Sequence, residues 1–280
     1  MKGFPTKQEN EQIEVQLLLE AIYQKHGYDF RNYSRAHIMR RLSHRLKVSG
    51  FKTYLEMIEA VLYNPSYFDH LLADLSINVT EMFRDPGFYK LLREKVVPVL
   101  RTYPYLKIWH AGCASGEEVY SMAILLKEEG LFDRTQIYAT DFNQNVLQRA
   151  KDGIYASKFM KEYERNYEDA GGGKSLNDYF TTKYDSSIVD QSLKKNIVFS
   201  DHNLVLDGVF GEMNLIMCRN VLIYFDKQLQ NRVVKLFLDS LSNGGTLCLG
   251  SKESLKFTHY ANFFETFDEK QRIYRKNYQA

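Results

Sequence analysis

Ile108-Trp109-His110-Ala111-Gly112-Cys113-Ala114-Ser115-Gly116-Glu117-Glu118 constrains the fold of this 280-residue chain more than any other stretch. Lys107, Ile108 and Trp109 read as a buried strand, and Val119, Met122, Ala123, Leu125 and Leu126 as the apolar face of a helix. The two glycines between them let the backbone turn sharply and come close to a bound nucleotide. About 25 residues past Gly116 a second short strand, Gln136 to Thr140, ends in Asp141. An acidic side chain at the tip of the next parallel strand is where a ribose diol is gripped. The pattern points to an adenosine cofactor on an α/β sheet. A glycine turn that only joins strand to helix is the bland alternative for GxxxG alone, and the placement of Asp141 weighs against it.

The charge around the turn bears on which cofactor. GxxxG is one glycine short of the dinucleotide fingerprint, and it opens into two glutamates where a pyrophosphate would need a positive helix end. S-adenosylmethionine carries a sulfonium and an ammonium and no phosphate, so it suits this charge pattern and NAD does not.

Composition excludes little else. A hydrophobic content of 44%, a charged content of 26% and a net charge of +2 describe a globular chain with no global pull toward nucleic acid or membrane. No apolar run approaches the roughly 18 residues of a membrane span, and nothing resembles a signal peptide, so the cytoplasm is the expected location. Cys113, Cys218 and Cys248 are odd in number, far apart and without CxxC spacing, which argues for buried thiols rather than a disulfide framework or a zinc site.

Residues near 11 to 75 read as entirely helical. Val15, Leu18, Leu19 and Ile22 form one apolar stripe, Tyr54, Ile58, Val61 and Leu62 a second, and Phe68, Leu71, Leu72 and Leu75 a third. Between Glu20 and Glu56 the only acidic residue is Asp29, while Arg31, Arg35, Arg40, Arg41, Arg45, Lys47 and Lys52 accumulate. On a helix starting near Ser34, Ile38, Leu42 and Leu46 form the buried stripe and Arg40, Arg41, His44 and Lys47 the opposite face. That face is a solvated surface or a docking surface for an acidic partner. From Lys107 onward, strand-like runs at 108–109, 137–139, 197–199, 213–218 and 246–249 alternate with amphipathic stretches, which implies a parallel sheet covered by helices.

Asn78-Val79-Thr80-Glu81-Met82-Phe83-Arg84-Asp85, then Ala111 to Ser121, then Ala139-Thr140-Asp141, then Cys218 to Phe225, resembles in order the CheR family of chemotaxis receptor methyltransferases. The resemblance implies an all-helical N-terminal domain at 1–76 and a class I, Rossmann-like methyltransferase domain at 77–280. Within the latter, 77–106 would be a linker and lid and 154–195 an inserted β subdomain. It implies S-adenosylmethionine as cofactor, S-adenosylhomocysteine as product, and glutamate side chains of a chemoreceptor's cytoplasmic helical region as acceptors. The basic face of Arg40, Arg41, His44 and Lys47 would meet that region.

Carried over residue by residue, the family pattern sets Asn78, Thr80 and Arg84 of the linker against cofactor and active site. Read locally, the same residues make a helix cap and a surface arginine. Glu117 or Glu118 would contact the methionine end, and the sequence leaves the choice open. Asp141 would bind the ribose, Asn203 and Leu204 would flank the adenine, and Asn220 and Val221 would contact the cofactor. Tyr224 would lie near the transferred methyl, or be a buried tyrosine with a satisfied hydroxyl. A glutamate carboxylate is ionised at neutral pH and needs no general base, so Arg84 is expected to orient it and Tyr224 to wall the site. His202 and His259 are expected to be structural or surface residues.

Period-two runs around Asp185-Ser186 predict a small hairpin in the insert, with Gly171-Gly172-Gly173 a flexible loop. Strand addition of a receptor's C-terminal peptide, which some CheR-like enzymes use, is in doubt because the segment from about Tyr163 to Leu176 departs from the compact subdomain. Asn243-Gly244-Gly245 turns into the strand at 246–249, and the runs at 263–267 and 272–274 predict a terminal hairpin with the last strand antiparallel. Two other readings stay open: a CheR-like regulatory binding module, and a methyltransferase acting on another protein or a small molecule.

Overall fold

The computed structural model describes residues 6–76 and 80–278. They divide into two compact units, a helical one that runs to Ser76 and also takes in Ile223–Gln230, and a larger α/β one made of the rest.

The helical unit contains α1 (Lys7–His26), α2 (Arg35–Val48), α3 (Tyr54–Tyr63) and α4 (Pro65–Leu75). Local chemistry starts three of them. Thr6 and Glu9 cap α1 reciprocally, the Thr53 hydroxyl accepts the Glu56 N–H on α3, and Asn64 followed by Pro65 opens α4. The stripes expected on α1 and α4 are buried. On α3 the inward face is Tyr54, Met57 and Val61, with Ile58 and Leu62 only half-buried. Spacing of three and four residues selects that face, and a thioether fills the gap there as well as a branched side chain. On α2, Ile38 and Leu42 are buried and Leu46 is half-buried. Arg40, His44 and Lys47 are exposed and Arg41 is half-buried. Arg45 turns inward to Asp74 at 2.5 Å. Residues 223–230 join this unit through main chain. The Ser34 N–H donates to the Tyr224 carbonyl at 2.7 Å, and the Asp226 N–H to the Asn32 carbonyl at 2.9 Å.

The chain of the α/β unit starts with α5 (Pro86–Leu91), α6 (Val97–Leu100), β1 (Leu106–Ala111), α7 (Glu117–Glu128), β2 (Thr135–Asp141) and α8 (Gln144–Asp152). Next come β3 (Ile154–Ala156), α9 (Met160–Asp169), β4 (Phe180–Lys183), β5 (Ser186–Val189), β6 (Ile197–Asp201) and β7 (Met213–Cys218). Helix α10 (Lys227–Ser240), which enters this unit at Asn231, β8 (Leu241–Leu249), β9 (Phe264–Asp268) and β10 (Ile273–Lys276) close it. The main sheet has the order β6-β2-β1-β7-β8-β10-β9, parallel from β6 to β8, with β10 antiparallel to both neighbours. It is a doubly wound, Rossmann-like sheet. Its order reverses direction between β1 and β7, and the carboxyl ends there are where such sheets take ligands. Strands β1 and β7 are buried along nearly their whole length, as central strands of a parallel sheet are.

A second sheet, β3-β5-β4, is antiparallel throughout and lies in the expected insert. Its β4–β5 hairpin turns at Tyr184, whose φ is 55°. The glycine triplet is a packed turn and not a slack loop. Gly171 and Gly172 donate to the Glu168 and Tyr167 carbonyls, and a Cβ on Gly172 would stand 2.3 Å from the Tyr167 ring. Glycine is needed there because the ring lies against the backbone.

Candidate cofactor and active site

The turn after β1 and the loop after β2 are tied together by Asp141. Its Oδ2 accepts the Ala114 N–H and its Oδ1 the Asn143 N–H, both at 3.0 Å. The N–H groups of Gly112 and Cys113 both donate to the Thr140 carbonyl, at 2.8 and 2.9 Å. Gly112 and Gly116 adopt φ of 78° and 90°, which suits glycine. They are also pressed by protein. A Cβ on Gly112 would lie 2.8 Å from Val221 Cγ2, and one on Gly116 2.9 Å from Ala150 Cβ. The glycines are therefore required for strand–helix packing as well as for backbone approach.

The two glutamates that open α7 have different neighbours. Glu118 meets His110 at 3.1 Å and Arg219 at 3.2 Å. Burial alone would raise its carboxyl, but the His110 hydrogen bond and the Arg219 charge outweigh it and hold the group below the usual glutamate range. Glu117 is 6% exposed and accepts the Ser115 hydroxyl at 2.7 Å. Burial pushes its carboxyl up to about 7.

Arg219 builds most of this corner. Its guanidinium also donates to the Asp85 carboxylate at 2.7 Å and to the Arg84 carbonyl at 3.3 Å, and it lies 4.1 Å from the centre of the Phe88 ring. The linker is held at two further points. The Phe83 N–H donates to Ser121 at 2.9 Å, and Asn166 of α9 donates to the Met82 carbonyl at 3.1 Å. Phe83 and Asp85 both have φ near 55°, at 52° and 58°, a conformation that bulky residues adopt at a cost. Arg84 is half-buried between them. Its charge acts on Glu81, whose carboxyl burial and Glu162 push up and Arg84 pulls back. Thr80 is half-buried, and Asn78 lies outside the described residues.

The loop after β6 holds Asn203 and Leu204. The Asn203 Oδ1 accepts the Val205 N–H at 2.9 Å and Leu204 is 7% exposed. His202 packs edge-on against Trp109 with ring centres 5.2 Å apart, which fits a structural histidine. After β7, Asn220 takes φ 62°, and the N–H groups of Asn220 and Val221 both donate to Glu253. Among the described residues six non-glycines have positive φ, and four of them (Phe83, Asp85, Ala114, Asn220) lie in these loops of the α/β unit. Such strain concentrates where backbone shape serves a ligand. Tyr224 belongs to the helical unit, with its ring edge-on to His37 at 5.1 Å.

The sequence marks Arg219 only as half of the polar pair Arg219-Asn220 that ends an apolar strand, and it gives no signal for Glu253, Ser121 or Asn166, which sit in ordinary polar contexts.

The chemistry of the donor set can be matched against candidate ligands. An ionised carboxylate offers about four lone-pair sites, so Asp141 keeps acceptor capacity for a diol hydroxyl beyond its bonds to the Ala114, Phe142 and Asn143 backbone. A carboxylate pair at the start of α7 opposes phosphate and favours a cation. Residues and adenosyl sulfonium fit. The three cysteines are buried thiols, all pushed up by burial.

Residues 78–272 match the family described as CheR methyltransferase, SAM binding domain, and residues 13–76 the one described as CheR methyltransferase, all-alpha domain. The Cher3 protein of Pseudomonas putida is 53% identical over 272 residues, which cover 97% of this chain and 100% of that protein. The chemotaxis protein methyltransferase of Borreliella burgdorferi is 31% identical over 258 residues, 87% of this chain and 88% of its own. That of Salmonella typhimurium is also 31% identical, over 248 residues, 85% of this chain and 82% of its own.

Proposed function

The chain belongs to the CheR family of S-adenosylmethionine-dependent methyltransferases, and we propose that it transfers methyl groups to glutamate side chains of a chemoreceptor's cytoplasmic helical region. The observation that carries this reading is the clamped linker. Met82, Phe83 and Arg84 are each tied through main chain to a side chain of the α/β unit, which fixes the backbone that carries the Arg84 cation.

Bound there, the cofactor supplies an electrophilic methyl on a sulfonium. Asp141 would hold the ribose, Asn203 and Leu204 would flank the adenine, and Asn220, Val221 and Thr80 would complete the cofactor surface, to which the family pattern adds Asn78. Arg84 orients the acceptor carboxylate, which is ionised at neutral pH and attacks without a general base. The new oxygen–carbon bond would form as the methyl's sulfur–carbon bond breaks, neutralising opposite charges, which water exclusion and alignment by the surrounding residues would favour. Tyr224, three residues past Val221 in the chain, is assigned by the family pattern as a wall and hydrogen-bond donor beside the methyl. Replacing Arg84 with alanine should lower receptor methylation at least roughly tenfold, the usual scale for a lost orienting group. Wild-type turnover in that variant would remove Arg84 from the mechanism.

Of the two glutamates, Glu117 is the one we assign to the cationic end, because Glu118 is engaged by His110 and Arg219. The pH dependence follows. Glu117 titrates at about 7 when folded and near 4.3 when unfolded. Its contribution to stability is therefore complete below the lower value and is lost as pH rises through 7. A bound cation favours the ionised form. Affinity for S-adenosylmethionine should thus increase from about pH 6 to about pH 8, and Glu117→Gln should flatten that rise. A calorimetric pH series in which the variant keeps the wild-type slope would reassign the cationic end.

The exposed face Arg40, His44 and Lys47, with Arg41 at its edge, is the proposed receptor-docking surface. Rim charges act mainly on encounter. Arg40→Glu with Lys47→Glu should raise the KM for a receptor fragment, most strongly at low salt, and leave S-adenosylhomocysteine affinity unchanged. An unaltered KM would place docking elsewhere. The receptor's cytoplasmic region as substrate puts the site of action in the cytoplasm.

A further inference from the structure

Glu253 lies in a polar loop just past β8 yet is only 4% exposed. Its carboxylate accepts from the backbone of both neighbouring loops. Oε2 accepts the N–H of Asn220 at 3.0 Å and of Gly250 at 2.6 Å, and Oε1 accepts the N–H of Val221 at 2.8 Å. Charge-assisted bonds of this kind are about twice as strong as neutral ones, so one side chain links the carboxyl ends of β7 and β8.

The link carries a specific geometry. Asn220 is held at φ 62°, which non-glycine residues rarely adopt without support. Val221 follows it, and its Cγ2 occupies the space over Gly112, 2.8 Å from where a Cβ would be. A chain of contacts therefore runs from Glu253 through the Val221 N–H to the glycine turn. Gly250 leaves room for it, since a Cβ there would come within 2.8 Å of both the Asn220 nitrogen and Glu253 Oε2.

We infer that Glu253 is a positioning residue for the cofactor: by gripping the Asn220 and Val221 N–H groups it holds the loop after β7 in its ligand-binding shape against the turn after β1. It does not touch the reacting atoms. This rests on the reading that Asn220 and Val221 meet the cofactor. Its effect belongs to cofactor binding, so it appears in the KM for S-adenosylmethionine and not in the rate of the loaded enzyme.

Glu253→Gln tests it, because the amide NH2 that replaces one oxygen can no longer accept. With S-adenosylhomocysteine as the calorimetric probe on the full chain, affinity should fall at least roughly tenfold, and the KM for S-adenosylmethionine should rise in step. The kcat at saturation should stay within about threefold. Gly250→Ala, whose Cβ would press on the carboxylate and on the Asn220 nitrogen together, should give the same split. Circular dichroism establishes that each variant is folded. Wild-type affinity in either folded variant overturns the proposal, as does a fall in kcat with KM unchanged. Failure of both to fold makes Glu253 a folding determinant and also overturns it. Val221→Ala separates the underlying reading: weakened binding there with intact binding in Glu253→Gln defeats the positioning role alone. Intact binding in Val221→Ala with weakened binding in Glu253→Gln defeats the cofactor contact and the proposed route together.

Discussion

Replacing Asp141 with alanine should weaken S-adenosylhomocysteine binding by roughly 10- to 1000-fold, the scale of one or two lost charge-assisted hydrogen bonds. Two losses combine. The diol loses its acceptor, and the N–H groups of Ala114 and Asn143, each 3.0 Å from the carboxylate, lose the group that holds the two loops together. Asp141 is only 7% exposed, so water replaces those bonds poorly. Burial pushes its carboxyl up while the backbone donors pull it back. Asparagine keeps one acceptor oxygen and should fall between alanine and wild type. Calorimetry decides the matter, and wild-type affinity in the alanine variant would remove the residue from the cofactor site.

Arg219→Met should cost about 3 to 5 kcal/mol of stability, because it strips a buried carboxylate of its counter-ion. The Arg219 side chain is 2% exposed and faces Glu118 and Asp85, with His110 the remaining partner of Glu118. For a unit of this size the melting temperature should drop by roughly 10 °C. Adding Glu118→Gln should recover part of the loss, since the orphaned charge and not the lost contact dominates. The same change frees the Arg84 carbonyl, so methylation per folded molecule should fall as well. A scanning-calorimetry midpoint within about 2 °C of wild type would mean that the ion-pair cluster contributes little.

The parts of the site legible in sequence were the short-range ones. Strand, glycine turn and helix at 108–126 announce themselves by apolar periodicity and two glycines, and Asp141 by standing at the end of the next apolar run. Each signal lies within a few residues of what it specifies. Helices α1 and α4 were legible for the same reason, while α3 shows the limit: Met57 and Ile58 are both apolar, and only the position of neighbouring helices decides which one is buried. The choice between Glu117 and Glu118 was not legible because it depends on Arg219, about a hundred residues later in the chain. Glu253 reads as one more charge in Ser251-Lys252-Glu253-Ser254 until the ends of β7 and β8 are side by side. The recruitment of 223–230 into the helical unit depends on main-chain bonds to Asn32 and Ser34, which leave no compositional trace. The glycine triplet looked slack because glycine runs usually are, and the Tyr167 ring that packs on Gly172 stands five residues earlier.

The claim that this chain esterifies protein glutamates is tested most directly by incubating it with S-adenosylmethionine labelled in the methyl group and a chemoreceptor cytoplasmic fragment. Label should enter the fragment, leave it as methanol under mild base, and fail to enter a fragment whose acceptor glutamates are replaced by alanine. Label that survives base, or no transfer from a protein that binds S-adenosylhomocysteine, would contradict glutamate ester formation.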